Sequence, residues 1–138
     1  KSGSVMLYGQ EHVRRYQETG GAEGHDWQGT TVLLLTTTGR RSGKPYTTPL
    51  IYQEDHGNPV VVASKSGDPA DPDWFLNLRA NPEVQVQVRD DKFTARARVA
   101  TPEEKPPLWK KMTATWPDYD EYQSKTDREI PVVILERV

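Results

Sequence analysis

The chain has 138 residues, 34% of them hydrophobic, with 10 glycines and 11 prolines; this suits one modest core with many turns and excludes a disordered chain. A formal charge of −2 argues against a surface broadly basic for duplex DNA, and the lack of cysteine excludes disulfides, thiolate nucleophiles and thiolate metal sites. No apolar stretch approaches the ~20 residues needed to span a bilayer.

Residues 1–138 are read as one domain, with residues 1–28 an N-terminal helix and linker. The helix is expected over Val5–Thr19, from Val5, Tyr8, His12 and Tyr16 at helical spacing, and the Gly20-Gly21 pair ends it. The chain begins at Lys1 rather than Met, which leaves room for a missing N-terminal segment and, through it, for peripheral contact with the inner face of a membrane. From Thr31 to Thr37, "TVLLLTT" is a continuous apolar run of the kind expected for a strand covered on both faces. Pro45–Gln53 is its expected partner, with Gly39 and Gly43 allowing the tight connection, and "PVVVAS" at 59–64 is a third strand.

In "DPDWFLNLRANP", Asp71 is expected to cap a helix that starts at Pro72 and stops at Asn81-Pro82. "VQVQV" (84–88) and "FTARARV" (93–99) alternate strictly, so they predict an antiparallel pair with one wet face and a turn at Asp90-Asp91. A helix is expected from Pro102 to Thr115, a short one over Tyr119–Lys125, and "PVVILE" closes the chain as a strand. About six antiparallel strands interrupted by short helices predict a mainly β, α+β fold: a small barrel with a groove beside it for a flat ligand.

Positive charge clusters in one turn, "GRRSGKP". It is not a P-loop, because three residues rather than four separate its glycines and Pro45 stands where a Ser or Thr would follow the lysine. A solvated hairpin tip accounts for such a turn, and so does an anion site, in which arginines bond a phosphate or carboxylate and glycines let backbone N–H groups approach it. The strand exit "ASKSG" offers a hydroxyl, an ammonium and a glycine, and reads equally as a plain turn or as the edge of a polar ligand site.

His12, His25 and His56 lack metal-ligand spacing. Asp68, Asp71 and Asp73 lack the glycine and distal glutamate of a calcium loop. No metal is expected, and no G-x-S-x-G elbow or serine–base pair supports hydrolysis. Trp116, Tyr119 and Tyr122, three residues apart, would share one side of a helix, as core-edge packing or as the wall of a pocket.

Taken together, "LLLTTTGRRSGKP", "VVVASKSG", "DPDWFLNLRANPEVQVQV" and "YDEYQSKTDREIPVVILER" resemble the deazaflavin (F420)-dependent nitroreductase family of actinobacteria, over about Val32 to Glu136. The resemblance implies a split β-barrel, flavin-reductase-like, and reduced coenzyme F420 as hydride donor. It implies that Arg40, Arg41, Ser42 and Lys44 hold the coenzyme's phosphate and acidic tail. Pro49, Leu50 and Ile51 would line its ring, Ala63, Ser64, Lys65, Ser66 and Gly67 would meet its edge or tail, and Trp74 and Asn77 would close the site. Trp116, Tyr119 and Tyr122 would shape the acceptor pocket.

The expected reaction is hydride transfer to a quinone or a conjugated enone or lactone of the coumarin or furanocoumarin type. Ser64 would polarise an oxygen, and Tyr119 or Tyr122 would supply a proton. Trp116 and Tyr46 stand where a nitroimidazole-activating relative carries tyrosine and arginine, so nitroaromatics rank lower as acceptors. The alternatives are an F420 carrier without turnover and an FMN-dependent reductase on the same barrel. The expected setting is cytoplasmic, as monomer or homodimer, with a small-molecule acceptor and no nucleic acid.

Overall fold

The computed structural model describes residues 9–138. Its elements are α1 (Gly9–Thr19), β1 (Asp26–Trp27), β2 (Thr30–Thr38), β3 (Pro45–Ile51), β4 (Gln53–Asp55), β5 (Asn58–Val62), a 3-10 turn (Lys65–Gly67), α2 (Asp73–Ala80), β6 (Glu83–Val88), β7 (Asp91–Val99), α3 (Lys105–Thr115), α4 (Asp118–Ser124) and β8 (Val132–Arg137). Eight strands replace the expected six: β1 spans only two residues, and Pro45–Gln53 divides at Tyr52 into β3 and the start of β4. The expected positions Val5 and Tyr8 of the first helix lie outside the described residues, as does any N-terminal membrane contact.

The strands pair antiparallel in the order β1-β2-β6-β7-β8-β5-β4, with β3 on β2. Thus β3 and β4 sit at opposite ends of the sheet yet are joined in the chain by Tyr52 alone, so the sheet must curl until its ends nearly meet. The result is the small barrel that the strand pattern predicts, in the split form that the family resemblance implies.

Side-chain alternation explains the sequence patterns. Leu33 and Leu35 of β2, Val61 of β5, Val84 and Val86 of β6, and Val133 and Leu135 of β8 fill the interior with Trp74, Phe75 and Leu78 of α2. Their neighbours face outward under helices. Val32 and Leu34 meet Val13 and Tyr16 of α1, while Val60, Val62, Val132 and Ile134 meet Leu108, Met112 and Tyr119 of α3 and α4. Strands covered on both faces therefore read as continuous apolar runs, and the β6–β7 pair alternates.

Two local expectations are corrected. The β6–β7 turn is Arg89-Asp90, since Val88 pairs with Asp91, and Arg89 takes the positive φ of 59°. Asp71 does not cap α2, whose N-cap is Pro72; its carboxylate instead accepts from Arg128 at 3.1 Å. A guanidinium forms an ion pair that a main-chain N–H cannot match. Among the described residues, no helix is long and apolar enough to cross a membrane.

Candidate active site

Two cavities adjoin at the barrel. The first, about 380 Å³, is mostly apolar: Pro49, Leu50 and Ile51 of β3, Val32, Val62, Pro72 and Trp74 wall one part, and Trp27, Trp116, Tyr119 and Tyr122 another. Ser64, Lys65 and Ser66 form its polar rim, and Gly9 and His12 of α1 contribute to its lining. The second, about 850 Å³, is a polar trough between the basic turn, the start of α2 and the Gln10–Val13–Gln17 side of α1. Trp74 lines both, so the two meet at this residue.

The basic turn is folded by its own backbone. Gly39 N–H donates to Lys44 O at 2.8 Å, Gly43 N–H donates to Gly39 O at 2.9 Å, and Gly43 takes φ +72°. A Cβ on Gly39 would lie 2.6 Å from the Tyr46 ring and 2.7 Å from Ser42 Oγ, so a larger residue there would push those side chains aside. Asn77, buried on α2, latches this turn: its Oδ1 accepts from the Arg40 main-chain N–H at 3.1 Å and from the Arg40 guanidinium at 2.8 Å. Its Nδ2 donates to Thr37 Oγ1 at 3.4 Å. Arg40 also lies 3.6 Å from the Asp73 carboxylate. Arg41 has no carboxylate partner among the described residues, so Arg40 and Arg41 against Asp73 leave the trough net positive, with Lys44 exposed beside it.

The rim turn is equally constrained. Lys65, Ser66 and Gly67 take φ of +46°, +53° and +83°. A Cβ on Gly67 would lie 2.7 Å from the Tyr122 carbonyl oxygen. Gly67→Ala is therefore expected to lower stability by about 2 kcal/mol, since left-handed backbone and a main-chain clash combine. A shift in the urea midpoint measures it, and an unchanged midpoint would show that α4 yields freely.

Arg128, from the loop before β8, spans the rim turn from behind. Its guanidinium donates to Ser64 O at 2.7 Å, Asp68 O at 2.9 Å, Ala63 O at 3.1 Å and the Asp71 carboxylate. Nothing local in "SKTDREIP" signals this, because the partners are about sixty positions away in the chain.

The aromatic wall departs from expectation in its backbone. Trp116 is the C-cap of α3 and Pro117 the N-cap of α4, so Trp116 is not on one helix with Tyr119 and Tyr122; the break between helices turns all three to the cavity. Trp116 Nε1 donates to Tyr122 Oη at 3.4 Å, and the Trp116 ring stacks on Trp27 at 5.9 Å. Tyr119 is buried, and that desolvation pushes its phenol well above the ordinary range.

Of the residues singled out from sequence, Pro49, Leu50, Ile51, Ser64, Lys65, Ser66, Trp116, Tyr119 and Tyr122 line the first cavity. Arg40, Arg41, Ser42 and Asn77 line the second, and Trp74 both. Lys44, Ala63 and Gly67 line neither: Lys44 is exposed beside the trough, Ala63 belongs to the barrel core, and Gly67 packs on Tyr122. Sequence reasoning missed His12, Trp27, Gln10, Gln17 and Arg128. His12 and Tyr16, four apart, did signal a helix face, but not what that face would cover. Among the described residues, no group of three or more His, Asp or Glu side chains could hold a metal.

A family model for F420H(2)-dependent quinone reductase matches residues 8–137. An F420H(2)-dependent quinone reductase of Mycobacterium tuberculosis is 40% identical over 130 residues, covering 91% of this chain and 87% of the relative. A solved F420-H2 dependent reductase (FDR-A) is 46% identical, covers 76% of this chain and 93% of its own, and superposes with a TM-score of 0.71. A solved domain-swapped dimer is 42% identical, covers 92% and 96%, and gives 0.74. The chain belongs to the F420H(2)-dependent quinone reductase family, and is an oxidoreductase that takes hydride from reduced coenzyme F420.

Proposed function

We propose that the groove holds F420 with its flat ring in the apolar cavity and its anionic tail in the trough, and that a quinone stacks beside the ring. The observation that carries this is the meeting at Trp74 of an apolar slot and a trough whose Arg41 has no carboxylate partner among the described residues. That donor set fits a group with a flat heterocycle at one end and negative charge at the other. When bound, the coenzyme supplies hydride.

In this reading Arg40, Arg41, Ser42 and Lys44 take the phosphate and acidic tail, with Asn77 fixing the direction of Arg40. Pro49, Leu50, Ile51 and Trp74 face the ring. The turn Ala63–Gly67 sets its edge, Ser64 and Lys65 offering the polar atoms. The Ser64 hydroxyl polarises an acceptor oxygen, while Trp116, Tyr119 and Tyr122 enclose the acceptor and exclude water. The raised Tyr119 phenol stays protonated, so it orients the acceptor by a hydrogen bond more readily than it gives up its proton. Conjugated enones and coumarin-type lactones share a quinone's flat, electrophilic carbonyl system and are the further acceptors proposed, with nitroaromatics below them. The described residues then act as one coenzyme-binding unit in the cytoplasm, and a relative that forms a domain-swapped dimer supports a homodimer.

Titration of F420 against FMN, read by deazaflavin fluorescence at low and high salt, tests the reading. Tight, salt-weakened binding of F420 is expected, together with oxidation of the reduced coenzyme by quinones. Arg41→Ala should weaken the tailed coenzyme about tenfold, ~1.4 kcal/mol, and leave the tail-less deazaflavin unchanged. Equal loss for both forms would overturn the tail assignment. Preference for FMN would overturn the coenzyme reading, and F420 binding without quinone-dependent oxidation would leave a carrier.

A further inference from the structure

We propose that His12 is the proton donor to the acceptor, its Nδ1–H protonating the carbonyl oxygen on which charge collects as hydride arrives. This rests on the reductase reading above and adds to it a residue from α1.

The ring is held for that task. His12 is only 3% exposed and lines the apolar cavity. Its Nε2 lies 2.8 Å from Gly24 O; a carbonyl can only accept, so Nε2 carries a hydrogen and donates it. The Nε2–Cδ2 edge packs against Gly24, whose Cβ position would lie 3.0 and 3.1 Å from Cδ2 and Nε2. The opposite edge, with Nδ1, has no hydrogen-bond partner among the described residues and is the one left to meet an occupant of the cavity. Trp27 lies against the imidazole at 6.0 Å between centroids and stacks in turn on Trp116, so the ring is fixed within the aromatic wall of the acceptor space.

Chemistry favours this group over its neighbours. An imidazole ordinarily titrates near ~6.5 and a phenol near ~10, and a general acid works best near the operating pH. Tyr119 is displaced further from neutrality by burial, and the Tyr122 oxygen already accepts from Trp116 Nε1. The other titratable groups facing the cavity are Lys65 from the rim turn, Tyr119 and Tyr122 from α4, with Tyr16 one turn along α1. No carboxylate lines this cavity among the described residues, so no anion there competes with the acceptor oxygen for the Nδ1–H.

The step balances. Hydride adds to the conjugated acceptor, the displaced π pair collects on oxygen, the O–H bond forms and Nδ1–H breaks, leaving neutral imidazole. One hydride and one proton complete the two-electron product, and solvent reprotonates His12 after release. The neutral Nδ1 would meanwhile accept a hydrogen bond from the hydroquinone hydroxyl.

The test compares wild type with His12→Gln, using F420H2 and a methylated naphthoquinone across pH 5–9, alongside fluorescence titration of F420 and binding of the matching hydroquinone to the coenzyme-free protein. Wild-type kcat should fall as pH rises through neutrality, and hydroquinone should bind more tightly as it does. His12→Gln should lose about 10²–10³-fold in kcat and both pH dependences, with F420 affinity within twofold. Retention of the wild-type pH limb in His12→Gln, its absence from wild type, or a parallel loss of F420 affinity would overturn the proposal while the reductase reading stands. F420 binding with no quinone turnover by wild type would overturn that reading, and this one with it.

Discussion

Tyr16→Ala is expected to be among the most destabilising single substitutions in the chain, at about 3–5 kcal/mol for the lost ring, out of a total stability of ~5–15 kcal/mol for a domain of this size. The side chain is fully buried where α1 crosses Val32 and Leu34 of β2. Its hydroxyl donates to Gln87 O at 3.3 Å and accepts from the Arg89 N–H at 2.7 Å, tying the helix to the β6–β7 turn. Tyr16→Phe keeps the ring and strands those two main-chain groups, so about 1–3 kcal/mol of the loss should persist in it.

The phenol also leaves a signature at high pH. Burial pushes it from its ordinary 10.0 up to about 12. A raised folded-state value contributes stability below the unfolded one, and that contribution disappears as pH climbs from 10 to 12, a loss Tyr16→Phe should not share. Because α1 carries His12 to the apolar cavity and Gln10, Val13 and Gln17 to the trough, Tyr16→Ala should also weaken coenzyme binding at the trough and slow turnover at the acceptor. Urea unfolding and hydrogen exchange of residues 9–19 measure both effects. A loss under ~1 kcal/mol, with protected α1 amides, would mean that the helix is held elsewhere.

That coupling also marks where the sequence stopped being informative. The run "VLLL" announced a strand covered on both faces because burial on both sides needs apolar side chains at every position, and "VVVA" and "VVIL" announced strands. They could not say what covered them: α1 over β2, and α3 with α4 over β5 and β8, are contacts between distant segments. Strands β1 and β4 escaped because two or three residues carry no period. The basic turn was legible as a cluster, and the family resemblance supplied its partner, yet the Asn77 latch on Arg40 joins positions 37 apart. Asp71 misled for the same reason: next to Pro72 it looks like a helix cap, and its ion pair with Arg128 appears only in three dimensions.

Arg128→Ala is the second large effect expected, about 3–5 kcal/mol, in the range for breaking a mostly buried, hydrogen-bonded pair. The arginine side chain is 14% exposed and the Asp71 side chain 32%, so the charge is largely desolvated. Removal would leave the Ala63, Ser64 and Asp68 carbonyls without this donor and the Asp71 carboxylate without its cation. Left-handed backbone at Lys65 and Ser66 costs on the order of 1–2 kcal/mol per residue, and the arginine fork is the contact that offsets it from behind. The turn should therefore relax, moving Ser64 and Lys65 on the cavity rim and reducing F420 affinity as well as stability. Arg128→Lys separates the two contributions: an ammonium can still pair with Asp71 but cannot span three carbonyls from one plane, so it should recover part of the stability and little of the affinity. The Arg128–Asp71 double-mutant cycle should give a coupling of about 1–3 kcal/mol. If Arg128→Ala lowered the melting temperature while F420 bound as in wild type, the rim turn would hold its shape without the fork, and the strain at Lys65 and Ser66 would have to be balanced by Gly67 packing on Tyr122 alone.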